Sequence, residues 1–433
     1  MYKGELFWAQ MNIPLVLKAE FDHTEIAIKS LSVMPIEYAS SDLQQQLENR
    51  GKHMFWRRRH GNLVSYEESS GKNKSISQRF MIDFNTYKEL HSDSMSFSNE
   101  DWVFKQDYKA DPNEEAKPPE LYLFPSLVPG FNFRTKKWTN FKVDLVRTVE
   151  WNDRAFERLV ADEETKEMIQ ALVTNQLATE KGTDLIDNKG NGLILLLYGP
   201  PGTGKTYTAE SVAEIARKPL YPVTCGDIGT KPEAVEKYLG SVFHLGKTWD
   251  CVVLLDEAEV FLEQRTLNDL ERNALVSVFL RTLEYYDGIL ILTTNRVGTF
   301  DEAFKSRISL ALRYEKLNEN QRRQIWQNFF SRLKDLGEQE SVDLDDLESH
   351  VEELASYPMN GRQIRNSIST ARQLAKYKKT KMKFDHLKRS ITLADKFDKY
   401  LAEVREGDTT ESSATRKDDR LSDEFFARED NIR

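Results

Sequence analysis

Cysteine is nearly absent: Cys225 and Cys251 are the only two in 433 residues, so no disulfide framework holds the chain and a reducing compartment suits it. Cys251 opens an apolar run and reads as a small buried hydrophobe, not a reactive thiol. Long hydrophobic runs are missing too. The longest uninterrupted apolar stretch, Leu193–Tyr198, falls far short of the ~20 residues that span a bilayer. The first twenty residues scatter Lys3, Glu5 and Lys18 among apolar groups and lack the continuous apolar centre of a secretory signal. These absences predict an intracellular, cytoplasmic protein with no membrane span. Met1 stands close to strand-like text, and the natural start is left open. A surplus of positive charge is lacking as well: a net charge of −9 argues against nucleic acid as a partner, because phosphate neutralisation needs a basic surface. The basic, aromatic run Arg50–His60, with Phe55 and Trp56, is read as a strand alternating buried rings with solvated arginines. No histidines stand at metal-ligand spacing, and no Ser-His-Asp arrangement is visible.

What is present describes a folded chain of several parts. A hydrophobic fraction of 39% with 30% charged residues is ordinary for a globular protein, and single cores rarely grow past about 250–300 residues. Residues 1–150 read as an N-terminal domain of β or α+β type, with strand-like runs at Glu25–Val33, Met54–Arg58, Arg79–Phe84 and Trp102–Tyr108. A proline-rich linker follows at 109–120. The segment Leu121–Trp151, with Phe131, Phe133, Trp138 and Phe141, is expected to pack across the border between the two halves. Asn152 starts a helix-period stretch with Phe156, Leu159, Ile169 and Leu172 at core positions. Apolar strands then alternate with amphipathic helices: Leu193–Tyr198, Leu220–Val223, Cys251–Leu255, Ile289–Thr293 and Ser309–Leu312. Strands separated by helices imply an α/β, doubly wound, five-stranded parallel sheet over 151–316. Asn318 and Gln321 form a capping box for a helix through Leu333, and helices at Asn360–Tyr377 and Phe384–Val404 complete a helical appendage over 317–404. The polar residues 405–433 read as a disordered tail.

The chemistry sits at the ends of two strands. Gly199-Pro200-Pro201-Gly202-Thr203-Gly204-Lys205-Thr206, with Tyr207 next, follows the strand Leu193–Tyr198 and matches the phosphate-loop pattern at every fixed position. Its glycines let backbone N–H groups face phosphate oxygens, and the helix starting near Lys205 aims its positive end at the same place. Lys205 is placed to reach the β and γ phosphates of ATP, and Thr206 to offer its hydroxyl to Mg²⁺. The second motif, Cys251-Val-Val-Leu-Leu-Asp256-Glu257, ends a buried strand in two adjacent carboxylates. Successive side chains diverge there, so Asp256 suits the magnesium shell and Glu257 a general base for an attacking water.

In order and spacing GPPGTGKT, VVLLDEAE, ILTTN and FDEAFKSR resemble the AAA+ ATPases, over about Gly192–Lys316. The whole chain resembles, more narrowly, fungal AAA ATPase-like proteins with an uncharacterised N-terminal domain before the core; Asp269–Arg296 carries much of that match. The resemblance implies a P-loop NTPase core with a C-terminal helical lid, ATP hydrolysis, and Asn295 as the sensor that orients the water. It implies Arg307 as the arginine finger toward a neighbouring subunit, the alternative being a surface arginine paired with a carboxylate. Arg362 matches the sensor of the lid, with Arg365 as competitor. It implies a homo-oligomeric ring, a hexamer being the first candidate, that remodels a protein partner. Where many protein-threading relatives carry an aromatic paddle, this chain has Asp227, Ile228 and Gly229. A nucleotide-gated scaffold with slow turnover and a P-loop kinase are the competing functions. Neither accounts for the set Glu257, Asn295 and Arg307 as well.

Overall fold

The computed structural model describes residues 2–3, 5–6, 36–57, 61–67, 78–91, 120–124, 126–177, 192–229, 231–262, 264, 269–296 and 301–415. The chain divides into two compact units, Met1–Glu150 and Trp151–Arg433.

The first unit begins with two short paired strands, β1 (Tyr2–Lys3) and β2 (Glu5–Leu6), and then α1 (Ser41–Arg57). Strands β3 (Asn62–Tyr66) and β4 (Gln78–Ile82), helix α2 (Phe84–Leu90), and strands β5 (Leu127–Asn132), β6 (Lys137–Lys142) and β7 (Val146–Arg147) follow. The last five strands form one antiparallel sheet in the order β6-β5-β4-β3-β7. Its core joins Val64, Phe80, Ile82, Val128 and Phe141 to Met54 of α1 and to Leu121. Two expectations are corrected here. Residues 54–57 end a helix and do not form a strand, because half-buried Leu47 and buried Gly51 and Met54 stand at i, i+4 and i+7 on one helical face, a spacing that the adjacent rings at 55 and 56 obscured. The side chains of Phe55 and Trp56 lie outside the described residues, as do the runs at 25–33 and 102–108 and the linker through 119. The segment carrying Phe131, Phe133 and Phe141 forms part of the first unit's own sheet, where β5 and β6 pair with each other and β5 with β4, and these three rings are buried.

The second unit opens with α3 (Arg154–Glu157) and α4 (Glu163–Leu177). One helix was expected; the break falls where Asp162 accepts from the Thr165 hydroxyl at 2.9 Å and starts the second helix. Strand β8 (Leu193–Tyr198) leads through α5 (Lys205–Ala216) to β9 (Leu220–Thr224), then α6 (Cys225–Ile228) and α7 (Pro232–Thr248) to β10 (Val252–Asp256). Helices α8 (Glu259–Leu262) and α9 (Leu270–Glu284) lead to β11 (Ile289–Thr294), and α10 (Glu302–Lys305) to β12 (Leu310–Arg313). All five strands are parallel, in the order β12-β8-β11-β10-β9. The three middle strands are buried on both faces, which explains why β8, β10 and β11 read as continuous apolar runs. Each fully buried Leu or Ile there contributes about 1.5–3 kcal/mol.

The lid is built from α11 (Glu319–Asp335), α12 (Leu344–Ser349), α13 (Val351–Ser356), α14 (Gly361–Tyr377) and α15 (Phe384–Thr415) around Trp326, Phe330, Leu354, Ile364 and Leu387. Asn318 and Gln321 cap α11 reciprocally, and Asn360 and Gln363 do the same for α14. Helix α15 runs through Thr415, past the expected start of a tail at 405; no proline interrupts this polar text, and the single Gly407 costs only about 1 kcal/mol. Among the described residues no helix is long and apolar enough to cross a membrane.

Candidate active site

Strand β11 lies between β8 and β10, so the residues that leave these three strands meet at one carboxyl edge, where doubly wound sheets bind ligands. The phosphate loop leaves β8 there. Its backbone takes left-handed values at Gly199 (φ 141°), Gly202 (φ 74°) and Gly204 (φ 108°). A Cβ on Gly199 would stand 2.0 Å from the Tyr314 carbonyl oxygen, and one on Gly202 would stand 2.6 Å from the Asn360 side chain. Glycine is therefore required twice over, by torsion and by space. The Thr203 hydroxyl donates to the Pro200 carbonyl at 2.9 Å, which holds the loop's curvature, while Pro201 is exposed. Helix α5 begins at Lys205 with its N-terminus on the loop. Tyr207 turns away: its hydroxyl donates to the Ala155 carbonyl at 3.0 Å.

Lys205 is buried, and its ammonium donates to the carbonyls of Gly199 and Pro200, each at 2.7 Å. Burial pushes its pKa down to about 8, against the charges of Asp256, Glu259 and Glu257, which raise it; Arg362 of the lid adds to the lowering. A lysine binds phosphate only when protonated, so the contribution expected of Lys205 is complete below pH 8 and fades as the pH rises through 8 toward the higher pKa of a phosphate-bound state. Lys205→Ala is expected to weaken a fluorescent ATP analogue at least tenfold, from about 1.5–3 kcal/mol per charge-assisted bond, and to flatten this pH dependence. Undiminished affinity in the variant would show that the loop does not hold phosphate through this residue.

At the end of β10, the Thr206 hydroxyl stands 3.2 and 3.3 Å from the two Asp256 carboxylate oxygens. A hydroxyl and a carboxylate converging beside a phosphate loop are hard oxygen donors of the kind Mg²⁺ prefers, so the residues present fit that ion. Glu257 is exposed, with left-handed backbone (φ 58°). Asn295 follows β11 at the same edge and donates its backbone N–H to Glu259 at 2.6 Å. The loop, Asp256, Glu257 and Asn295 thus come together. Arg362 joins them from the first turn of α14, where the Gly361 N–H bonds the Gly202 carbonyl at 2.9 Å. Arg365 acts instead on Glu210 of α5. Arg307 stands apart, donating to the Ala303 carbonyl at 2.9 Å and to the Glu284 carboxylate at 3.3 Å within its own chain.

Two participants escaped the sequence reading. Glu259, the last acid of the motif after β10, faces both Asn295 and Lys205. Thr293 donates its hydroxyl to Asp256 and accepts from the Glu257 N–H at 3.1 Å. Both left a signal: a third carboxylate after Asp256 and Glu257, and a hydroxyl ending an apolar strand two residues before Asn295.

Residues 195–315 match the model of the "ATPase family associated with various cellular activities (AAA)", and residues 317–408 that of the "Fungal AAA+ ATPase lid domain". The human ATPase family AAA domain-containing protein 3B is 27% identical over 144 residues, covering 32% of this chain and 22% of that protein. An ATP-dependent zinc metalloprotease FtsH of Cyanidium caldarium is 30% identical over 165 residues, covering 34% and 25%. The match to a mitochondrial sorting homolog of Caenorhabditis elegans is 29% over 179 residues, 39% of this chain and 50% of the relative. The first two matches thus span about a quarter of the relatives' own length. A crystal structure of the FIGL-1 AAA domain in complex with ADP aligns at TM-score 0.42 and 19% identity, covering 56% of this chain and 87% of that one. With the phosphate loop, the carboxylate pair and the capped lid helices all falling inside the two matched segments, the chain carries an AAA-type ATPase domain followed by the lid of the fungal AAA+ ATPases.

Proposed function

We propose that this protein binds and hydrolyses ATP with Mg²⁺ and couples turnover to remodelling a protein partner, in a ring of identical subunits. The observation that carries the reading is the convergence of Lys205, Thr206, Asp256 and Glu257 at one sheet edge, with Asp256 and Thr206 in hydrogen-bond contact. Thr206 and Asp256 would hold Mg²⁺, which when bound neutralises phosphate charge. Lys205 binds phosphate. Glu257 takes the proton of the attacking water, and Asn295 orients that water. Phosphate release from ATP tests the reaction; none in a nucleotide-saturated, folded protein would leave a nucleotide-gated scaffold as the better reading.

The remodelling is not expected to involve threading of stably folded chains. Ile228 is buried, and the Asp227 carboxylate accepts from the Thr224 backbone and hydroxyl, so both side chains are occupied within the subunit. Tyr221 is also buried and does not present a ring to a channel. Gripping an extended peptide relies on aromatic area. Incubation with a tagged fluorescent protein and ATP should leave its fluorescence intact; efficient unfolding would overturn this expectation.

A further inference from the structure

We propose that Thr293 is the positioning residue that sets both carboxylates of the candidate site at once, a role that rests on the ATPase reading above. Its side chain is buried, 2% exposed, directly after the apolar run Ile289–Leu292 of β11. The hydroxyl has one proton and two lone pairs, and the structure uses both kinds of capacity. The proton goes to Asp256 Oδ1, and a lone pair accepts the Glu257 N–H at 3.1 Å. The Thr293 carbonyl takes the next amide as well, from Ala258 at 2.9 Å. Asp256, Glu257 and Ala258 are thus all fastened to this one residue across the β10–β11 pair.

That arrangement explains two features of the site. Asp256 offers oxygens to Thr206, and a carboxylate free to rotate would present them in many directions; the Thr293 hydroxyl selects one. Glu257 sits in left-handed backbone, which a non-glycine residue adopts only when its surroundings hold it there. The hydrogen bonds of Glu257 and Ala258 to Thr293 supply that hold. Partners that orient metal-holding groups typically alter metal affinity 10–100-fold when removed.

The test compares Thr293→Val, which keeps the shape and deletes the hydroxyl, with Thr293→Ser, which keeps the hydroxyl. The readouts are the Mg²⁺ concentration that half-saturates binding of a fluorescent, non-hydrolysable ATP analogue, the same analogue's affinity in EDTA, and the split between kcat and KM. Thr293→Val is expected to raise the Mg²⁺ half-saturation about tenfold or more, to leave affinity in EDTA within twofold, and to lower kcat more than it raises KM. Thr293→Ser should recover most of the loss. If Thr293→Val does not fold, Thr293→Cys, with a weakly donating thiol of similar size, carries the comparison and should show a larger rise in Mg²⁺ half-saturation than Thr293→Ser. An unchanged Mg²⁺ half-saturation in a folded variant, or a serine variant as poor as valine, would overturn the role of Thr293 while leaving the ATPase reading intact. A wild-type protein whose nucleotide binding ignores Mg²⁺ would overturn both.

Discussion

Glu257→Gln is expected to trap ATP and Mg²⁺ on the protein while turnover falls about 10²–10⁴-fold, the usual worth of a positioned general base, or roughly 2.7–5.5 kcal/mol of barrier. The amide keeps the shape of the carboxylate and removes only its ability to take a proton from water. Glu257 is exposed at the edge of the sheet, so the substitution strands no charge in the core. Its neighbour Asp256 behaves differently. Asp256 accepts from Thr206 and Thr293, and Asp256→Asn replaces one accepting oxygen with a donating amide that faces those hydroxyls. The expected result is a raised Mg²⁺ requirement with weakened binding of the Mg²⁺–nucleotide pair. Single-turnover measurements with retained radiolabelled ATP separate the two variants. Equal loss of binding in both, without a trapped ATP state, would show that the two carboxylates do not divide the work.

Arg307→Ala should leave nucleotide affinity within severalfold while cutting turnover about a hundredfold or more, as removal of an arginine finger does in related phosphoryl-transfer systems. In the isolated chain Arg307 is held by Glu284 and Ala303, and its buried Nε has no hydrogen-bond partner among the described residues. A partly exposed ion pair of this kind contributes only about 0–1 kcal/mol of stability. The geometry leaves two roles in competition: a fork of donors aimed at a neighbouring subunit's γ-phosphate, or a strut between α9 and α10. Mixing decides between them. Inactive Arg307→Ala and inactive Glu257→Gln proteins, combined and allowed to exchange subunits, should recover part of the activity, because some interfaces then join an intact finger to an intact base. If Arg307 is only a strut, Glu284→Ala reproduces its loss and mixing restores nothing.

Local text carried the phosphate loop, because GPPGTGKT requires torsions that few other sequences adopt, and Gly199, Gly202 and Gly204 take them. The parallel sheet was legible for a related reason: strands buried on both faces must be apolar throughout, and β8, β10 and β11 are. The first unit was harder to read. In α1 the core-facing residues Leu47, Met54 and the small Gly51 are spread at helical spacing through charged text, and the adjacent Phe55 and Trp56 imitated a strand. Extending the lid helix past 405 was equally invisible, since nothing in that polar run demands a helix or forbids one.

Residue types and their spacing along the chain therefore determined which groups could bind phosphate and metal, because those requirements are met within one turn or one strand end. Only the tertiary structure decided which groups meet across strands. Thr293 touches Asp256 and Glu257 because β11 pairs in register with β10, with Leu292 opposite Leu255. Glu259 reaches Asn295 for the same reason. Arg362 acts on Lys205, and Arg365 on Glu210, because the first turn of α14 is bonded to Gly202. These interactions join residues 36 to 159 positions apart and are set by strand order and lid docking, which no short stretch of sequence encodes.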